Sequence, residues 1–251
     1  MESNTSLGFE AYLDGEGVLK GLQKLAKQLP YAESVALNRT ANTVRDALKV
    51  EIKKDFDRPT NRTINATWVQ YSSKEQSERH VLIGLSDKKT GKNTVTPAQY
   101  LAPQIEGGKR NQKRSERAVT DYTAFPAMGG KGKKFMVPAK VAKLDAYGNM
   151  PGSQWTKILS EIKGLSEVGF QGNRTRGSKT KRGGFFISKT KPLILQKQGD
   201  RAVPILVGVS SVTYKPRLPW YEVIEKVWNA NIEKEAVKAI GEAVASAFTG
   251  G

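Results

Sequence analysis

The chain of 251 residues has no cysteine and a single histidine, His80. Without cysteine, disulfides, zinc–thiolate sites and thiol catalysis are excluded, and a reducing cytosolic origin is expected. A general base or a metal site built on His80 would need a hydrogen-bonding partner or further ligands. The residues around it have a strand pattern, so we interpret His80 as a half-buried strand residue.

Carboxylates are scarce in the middle of the chain. A metal-dependent nuclease needs several of them converging on one site, but residues 107–197 hold only five, spread over the whole stretch. The phosphate-loop motif G-x-x-x-x-G-K-[ST] is missing as well, since neither Gly129–Lys134 nor Thr90–Asn93 fits it. We therefore expect no enzyme, no bound metal and no cofactor, and a nuclease is the least favoured alternative.

Long apolar runs are also absent. The N-terminal sequence MESNTSLGFEAYLDGEG is acidic and lacks the apolar core of a signal peptide. No stretch reaches the roughly 18–20 apolar residues that span a bilayer. We expect a protein that is soluble and intracellular at synthesis, with no membrane partner.

Positive charge, in contrast, is abundant and concentrated. Residues 107–197 carry twenty basic and five acidic residues, a net +15 out of +17 for the whole chain. This concentration is typical of a surface that faces a polyanion; the alternative is a solvated basic loop that keeps the protein soluble. The candidate DNA- or partner-contacting residues are Lys109, Arg110, Lys113, Arg114, Arg117, Lys131, Lys133, Lys134, Arg174, Arg176, Lys179, Lys181 and Arg182.

Apolar periodicity predicts helices at both ends of the chain. A first helix is expected over 17–29, ended by Pro30, and a second over about 31–56 with a buried stripe from Leu37 to Phe56. A C-terminal helix is expected over about 220–248, with the stripe Ile224, Val227, Trp228, Ile232, Ile240 and Val244.

Between these helices the pattern predicts strands near 67–72, 80–85, 185–188, 192–196 and 202–209, and helices near 111–119 and from Pro151. The fold class is α+β: a mostly antiparallel sheet packed by the long terminal helices, with extended basic arms. We predict one domain over residues 1–251, with a basic helix-and-arm insertion at 107–184.

Two glycine-rich stretches, 125–143 and 171–184, are predicted to be flexible arms. Arg174–Arg182 contains no acid, and such segments contact phosphates without reading base sequence. Because aromatic residues are not interleaved in it, duplex backbone contact is favoured over single-strand stacking. The alternative is that this arm docks on an acidic neighbouring subunit.

Several short strings, in order, resemble the minor tail protein Z family of phage and prophage tail-completion proteins. They are ALNRTA at 36–41, FDRPT at 56–60, YLAPQ at 100–104 with EGG at 106–108, KRSER at 113–117 and LDAYGNM at 144–150. The resemblance covers roughly residues 36–162.

The resemblance implies a structural virion protein of a long-tailed phage, located at the neck where tail joins head and assembled in the host cytoplasm. It implies a homo-oligomeric ring, most often of six copies, with tail terminator, tail tube and head-connector proteins as neighbours. Genomic double-stranded DNA passing through the channel would be the polyanion. A DNA-binding protein outside the virion is the alternative.

The family motifs supply no catalytic residues, and their members here have structural roles. Pro59, preceded by Arg58, is expected to stop the long helix. Gly107, Gly108 and Gly148 are expected at backbone turns, and Asp145 and Asn149 at turn or cap positions.

Overall fold

The structure, a computed structural model, describes residues 15–91, 94–162 and 184–249. The fold class is α+β, as predicted, with long helices at both ends and antiparallel sheets between them. In chain order the elements are α1 Gly15–Asp55, α2 Asn61–Ile64, β1 Thr67–Gln70, β2 Leu82–Leu85, α3 Pro97–Ile105, β3 Gly108–Lys109, α4 Arg114–Tyr122, β4 Phe135–Pro138, α5 Gly152–Glu161, β5 Phe185–Ile187, β6 Leu193–Gln198, β7 Arg201–Val209, β8 Thr213–Tyr214 and α6 Trp220–Thr249.

The chain divides into two compact units. Unit 1 comprises Met1–Val50, Thr67–Leu85 and Trp220–Gly251, and unit 2 comprises Glu51–Ala66 and Ser86–Pro219. That the whole chain acts as one domain stays a prediction. None of the described helices is long and apolar enough to cross a membrane.

In unit 1, α1 packs against α6 through small residues. Ala32, Ala36, Ala239 and Ala243 form a buried cluster, which lets the two helices approach closely. Arg39 adds an ion pair to Glu242, with 3.1 Å from Nη2 to Oε2.

The C-terminal half of the stripe predicted for α6 is wrong. Ile240 and Val244 are 45% and 38% exposed, and alanines occupy the contact line instead. Apolar periodicity weights large side chains, whereas close helix contact here selects small ones.

The predicted break at Pro30 is also wrong, because α1 continues through it. Proline removes one backbone donor and commonly kinks a helix. Here the hydroxyl of Ser34 donates to the Pro30 carbonyl at 3.0 Å, and burial of Ala32 and Ala36 holds the following turns in place. The middle of the predicted stripe is confirmed, since Ala41, Val44, Leu48 and Ile52 are fully buried, whereas its end residues Leu37 and Phe56 are only half-buried.

The rest of unit 1 is the antiparallel hairpin β1–β2. The chain after β1 is tied to α1 by the Asn38 side chain, whose Nδ2 donates to the Ser72 carbonyl at 2.9 Å. The backbone N–H of Ser72 donates back to Asn38 Oδ1 at 2.7 Å. Both predicted strands are thereby confirmed, with the second beginning at Leu82.

Unit 2 is built on a four-stranded antiparallel sheet in the order β4-β7-β6-β5. One face packs against α4 and α5 in a core that contains Val119, Met136, Ile158, Ile194 and Leu206. The helix predicted from Pro151 is confirmed as α5, and Ile158, Leu159 and Ile162 at its C-terminal end are buried. Three of the sheet's strands match the predicted segments; β4 does not.

The stretch 125–143 is not a flexible arm. Phe125 is fully buried and β4 forms one edge of the sheet, paired with β7. Gly130, one of the glycines that suggested flexibility, lies against the Phe125 ring, and so does Gly208 of β7, so both make room for an aromatic core residue.

Candidate polyanion-binding surface

The first part of the basic surface is the segment that leads into α4. β3 pairs with β8, and the N–H of Arg110 donates to the Val212 carbonyl at 3.2 Å. Within α4, Glu116 and Val119 face the core. The side chains of Lys109, Lys113, Arg114 and Arg117 are exposed.

The second part is the loop that enters β4. The N–H of Lys134 donates to the Val209 carbonyl at 3.1 Å, and that of Lys133 to the Gly130 carbonyl at 2.9 Å. Lys131 and Lys134 are exposed and Lys133 is half-buried. Since Val209 and Val212 are three residues apart, the two basic segments bind the same short stretch of backbone between β7 and β8.

Side chains join the two segments directly. Gln112 Nε2 donates to the Lys134 carbonyl at 2.7 Å, and the Met136 N–H donates to Glu116 Oε1 at 3.0 Å. The Arg110 guanidinium lies over the Phe135 ring, 4.9 Å from its centroid. Residues more than twenty positions apart in sequence therefore form one surface.

Arg110 has a structural role within this surface. Its guanidinium donates to both carboxylate oxygens of Glu116, a residue only 1% exposed. Burial by itself would raise the pKa of Glu116; the hydrogen bonds from Arg110 and from the N–H groups of Lys113 and Met136 outweigh it and hold that pKa below its ordinary value. The charge of Arg110 is therefore compensated inside the protein.

Lys113 also differs from a solvated surface lysine. The residue is exposed, and the positive charge of Arg110 acts on its ammonium. Desolvation and that repulsion together lower the pKa of Lys113, against the opposing effect of Glu116. A phosphate near this ammonium would relieve the repulsion.

The structure adds two lysines to the surface. A Cβ on Gly129 would lie 2.8 Å from the backbone N of Lys191, so the loop before β4 meets the turn between β5 and β6. Lys189 and Lys191 in that turn are exposed. No local pattern marks them, because their position depends on strand order.

Five predicted contact residues lie outside the described part of the chain: Arg174, Arg176, Lys179, Lys181 and Arg182.

Two of the strings on which the family resemblance rests meet in unit 2: FDRPT at 56–60 and, second, LDAYGNM at 144–150. Arg58 has a left-handed backbone with φ 47°, and its Nη2 lies 3.4 Å from where a Cβ on Gly148 would be. In that second motif, Asp145 Oδ1 accepts the N–H groups of Tyr147 and Asn149, both at 2.9 Å. Gly148 has φ 75°.

The turn after α3 uses glycine conformations directly. Gly107 and Gly108 have φ values of 78° and 103°. A Cβ on Gly107 would also come within 2.9 Å of the Pro216 ring. Pro59 follows the end of α1, and Thr60 caps α2 by accepting the Thr63 N–H at 3.2 Å.

Unit 2 also has an open cavity of about 440 Å³. It is lined by Arg62, Asn65, Ser86, Lys88, Lys89, Thr90 and Pro97. Arg62 is fixed by donation to the Lys88 carbonyl at 3.3 Å. Its basic lining extends the positive character of unit 2.

His80 precedes β2 and is exposed, so its interpretation as a half-buried strand residue is wrong. Its Nδ1 lies 2.9 Å from the Glu78 carbonyl oxygen. Among the described residues, no group of three or more histidines and carboxylates could hold a metal ion.

Comparisons of the chain with protein-family models, with curated proteins and with solved structures returned no match.

Proposed function

We propose that this chain is a structural subunit of a phage virion that completes the head-proximal end of the tail and joins tail to head. In this proposal the basic surface of unit 2 faces DNA in the channel or an acidic neighbouring subunit. The sequence resemblance supplies the biological setting, and the charge distribution supplies the physical argument.

The observation that carries the proposal is the separation of charge between the two units. Unit 2 contains 30 basic and 11 acidic residues, a formal net charge of +19. Unit 1 contains 11 basic and 13 acidic residues, a net charge of −2. Positive charge that serves only solubility need not be confined to one structural unit. A unit that binds a polyanion, in contrast, requires that the positive charge be concentrated on it.

The form of the surface favours phosphate contact without base readout. Lys109, Arg117, Lys131 and Lys134 are exposed on a two-residue strand, a short helix and a loop rather than gathered in a deep pocket. Such side chains bind a duplex backbone through counterion release and carry no sequence information. A protein lining a DNA channel must hold its cargo without stopping at particular sequences.

The proposal includes assembly into a ring of six copies around the channel. Tail terminator, tail tube and head-connector proteins would be the neighbours. A closed ring places one basic surface per subunit around a central duplex.

The test is whether the protein belongs to the particle. Virions purified from a producing host should contain it in a fixed number of copies, and deletion of its gene should leave heads and tails that do not join. A protein that binds DNA but is missing from intact particles would instead be a DNA-binding factor outside the virion.

A further inference from the structure

The sheet of unit 2 has a second apolar face, opposite the one that packs against α4 and α5. Cross-strand partners share a face, so Val137, Val207 and Leu193 form one row, and Phe186, Leu195 and Pro204 another. We call this the outer sheet face: Phe135, Val137, Phe186, Leu193, Leu195, Pro204, Val207 and Val209.

Exposure separates the two faces clearly. None of the eight outer residues is buried, and Val137 and Phe186 are each 40% exposed. On the inner face Met136, Ile194 and Leu206 are at most 4% exposed. A sheet that keeps one face in water normally alternates apolar with polar residues. Apolar residues on both faces indicate that the outer one is covered by another layer.

Unit 1 has an uncovered apolar stripe of its own on the helix pair. We call it the helix-pair stripe: Val18, Leu22, Leu29, Ile240, Val244 and Phe248, which are 38–57% exposed. On α6, each member of the stripe directly follows an alanine on the side of the helix that contacts α1. On α1, Leu22 and Leu29 directly follow Gly21 and Gln28, and both of those residues contact α6.

The two halves of the stripe lie on one side of the helix pair. The helices are antiparallel, since Gly21 lies beside Phe248 while Arg39 reaches Glu242. One residue is a rotation of about 100° on an α-helix. The same offset on two antiparallel helices turns both sets of side chains toward the same side.

Charge distinguishes the stripe from its surroundings. On α1, Lys20, Lys24 and Lys27 each lie two residues from a stripe member, about 200° away and so on the opposite side. The side that bears the stripe continues along α6 with Glu222 and Glu233 against one lysine, Lys226, while Glu225 and Lys234 lie at its two edges. The outer sheet face has no acid among its residues, and Lys197 follows Leu195 on the same face of β6.

We propose that the outer sheet face of one copy binds the helix-pair stripe of a second copy. Two helices would then cover the sheet from outside, as α4 and α5 cover it from inside, and the side of α6 that bears Glu222 and Glu233 would face the side that bears Lys197. The contact joins different surfaces, so it is head-to-tail and can close into a ring. This inference deepens the ring assembly of the proposed function and names its interface.

Two single substitutions test this pairing in the purified protein by sedimentation velocity over a range of concentrations. Phe186→Glu damages only the outer sheet face, and Ile240→Glu only the stripe. Each variant alone should associate at least about tenfold more weakly than wild type, because a charge would be buried without a partner. Mixed in equal amounts, the variants should form a heterodimer and nothing larger, since one intact surface of each kind remains.

One control substitution and one replacement pair complete the experiment. Val95→Glu alters a residue that is 48% exposed in a loop and should assemble as wild type. Val137→Glu and Val244→Glu replace the first pair if circular dichroism shows misfolding. Normal assembly of either surface variant, no heterodimer on mixing, or a wild type that stays monomeric at every concentration would overturn the pairing.

A DNA-binding assay on the same variants keeps the two proposals separate, since none of these substitutions changes a lysine or arginine. Variants that lose assembly but keep DNA binding support both proposals. Wild type that assembles as described but binds no DNA would leave the interface standing and remove DNA from the proposed function.

Discussion

The Arg110 guanidinium donates to the Glu116 carboxylate, with 2.8 Å from Nη1 to Oε2, and this pair ties the basic segment to the sheet. Glu116 also accepts the Met136 N–H, so one carboxylate connects the chain before α4 to β4. The basic surface is therefore fixed to the core of unit 2.

Replacing this carboxylate should destabilise the protein. Glu116→Gln leaves the guanidinium of Arg110, whose side chain is 14% exposed, without a charged partner. Loss of one partner from a buried pair costs about 3 kcal/mol. Urea denaturation measures the change in the free energy of unfolding. Asp121→Asn, on the exposed side of the same helix, is the control and should stay within about 0.5 kcal/mol of wild type.

The same carboxylate makes stability depend on pH. Its pKa in the folded protein lies below its ordinary value of 4.5, so its stabilising effect is complete above that pH and is lost as pH falls through the folded pKa. The difference in melting temperature between wild type and Glu116→Gln should be constant near neutral pH. It should shrink below about pH 4.5. A difference that grows on acidification would contradict the assignment.

The left-handed backbone of Arg58 predicts a stabilising substitution. This conformation costs a residue with a side chain about 1–2 kcal/mol, and glycine avoids most of that cost while losing about 0.5–1 kcal/mol in chain entropy. Arg58→Gly should therefore raise the free energy of unfolding by up to about 1 kcal/mol. Arg58→Ala keeps the unfavourable φ and should give no gain, and equal effects of the two would reject the explanation.

The close packing of Phe125 on Gly208 predicts that a substitution at Gly208 is destabilising. A Cβ on Gly208 would lie 2.6 Å from the Cζ of a ring that is fully buried. Gly208→Ala should cost about 1–3 kcal/mol, as overpacking does. Adding Phe125→Leu should recover part of that loss. Gly152→Ala, where a Cβ meets open space at the start of α5, should be neutral or slightly stabilising.

Local sequence patterns predicted most helices and strands, and the errors arise where contacts between residues distant in sequence override the local pattern. The stripe from Ala41 to Ile52 and the strands of the hairpin follow from periodicity alone. The stretch 125–143 was predicted to be an arm because glycine suggests flexibility, but Gly130 accommodates the buried Phe125 ring and Gly129 packs against the turn at Lys191. Pro30 was predicted to end a helix that tertiary packing continues.

The candidate polyanion-binding surface was predictable only in part, because it too depends on contacts between residues distant in sequence. Charge marked Lys109 and Lys134 in the sequence, but their proximity depends on strand order and on Gln112. Nothing local showed that Arg110 is compensated by Glu116, or that Lys189 and Lys191 approach the loop before β4. Contacts between residues distant in sequence determine which charges act together.

The most direct test of the central claim is the salt dependence of duplex binding. Lys109, Arg117, Lys131 and Lys134 are replaced together by glutamine, and a control variant replaces four exposed lysines of unit 1: Lys27, Lys74, Lys226 and Lys234. Both variants lose the same charge. Each phosphate contact contributes about −0.9 to the slope of log K against log salt.

The unit 2 variant should flatten that slope by up to about four and the unit 1 variant by less than about one. Equal slopes for the two variants, or an unchanged slope in the first, would contradict DNA contact by this surface. Unchanged DNA affinity together with failed joining of tail to head would assign the surface to an acidic neighbouring subunit.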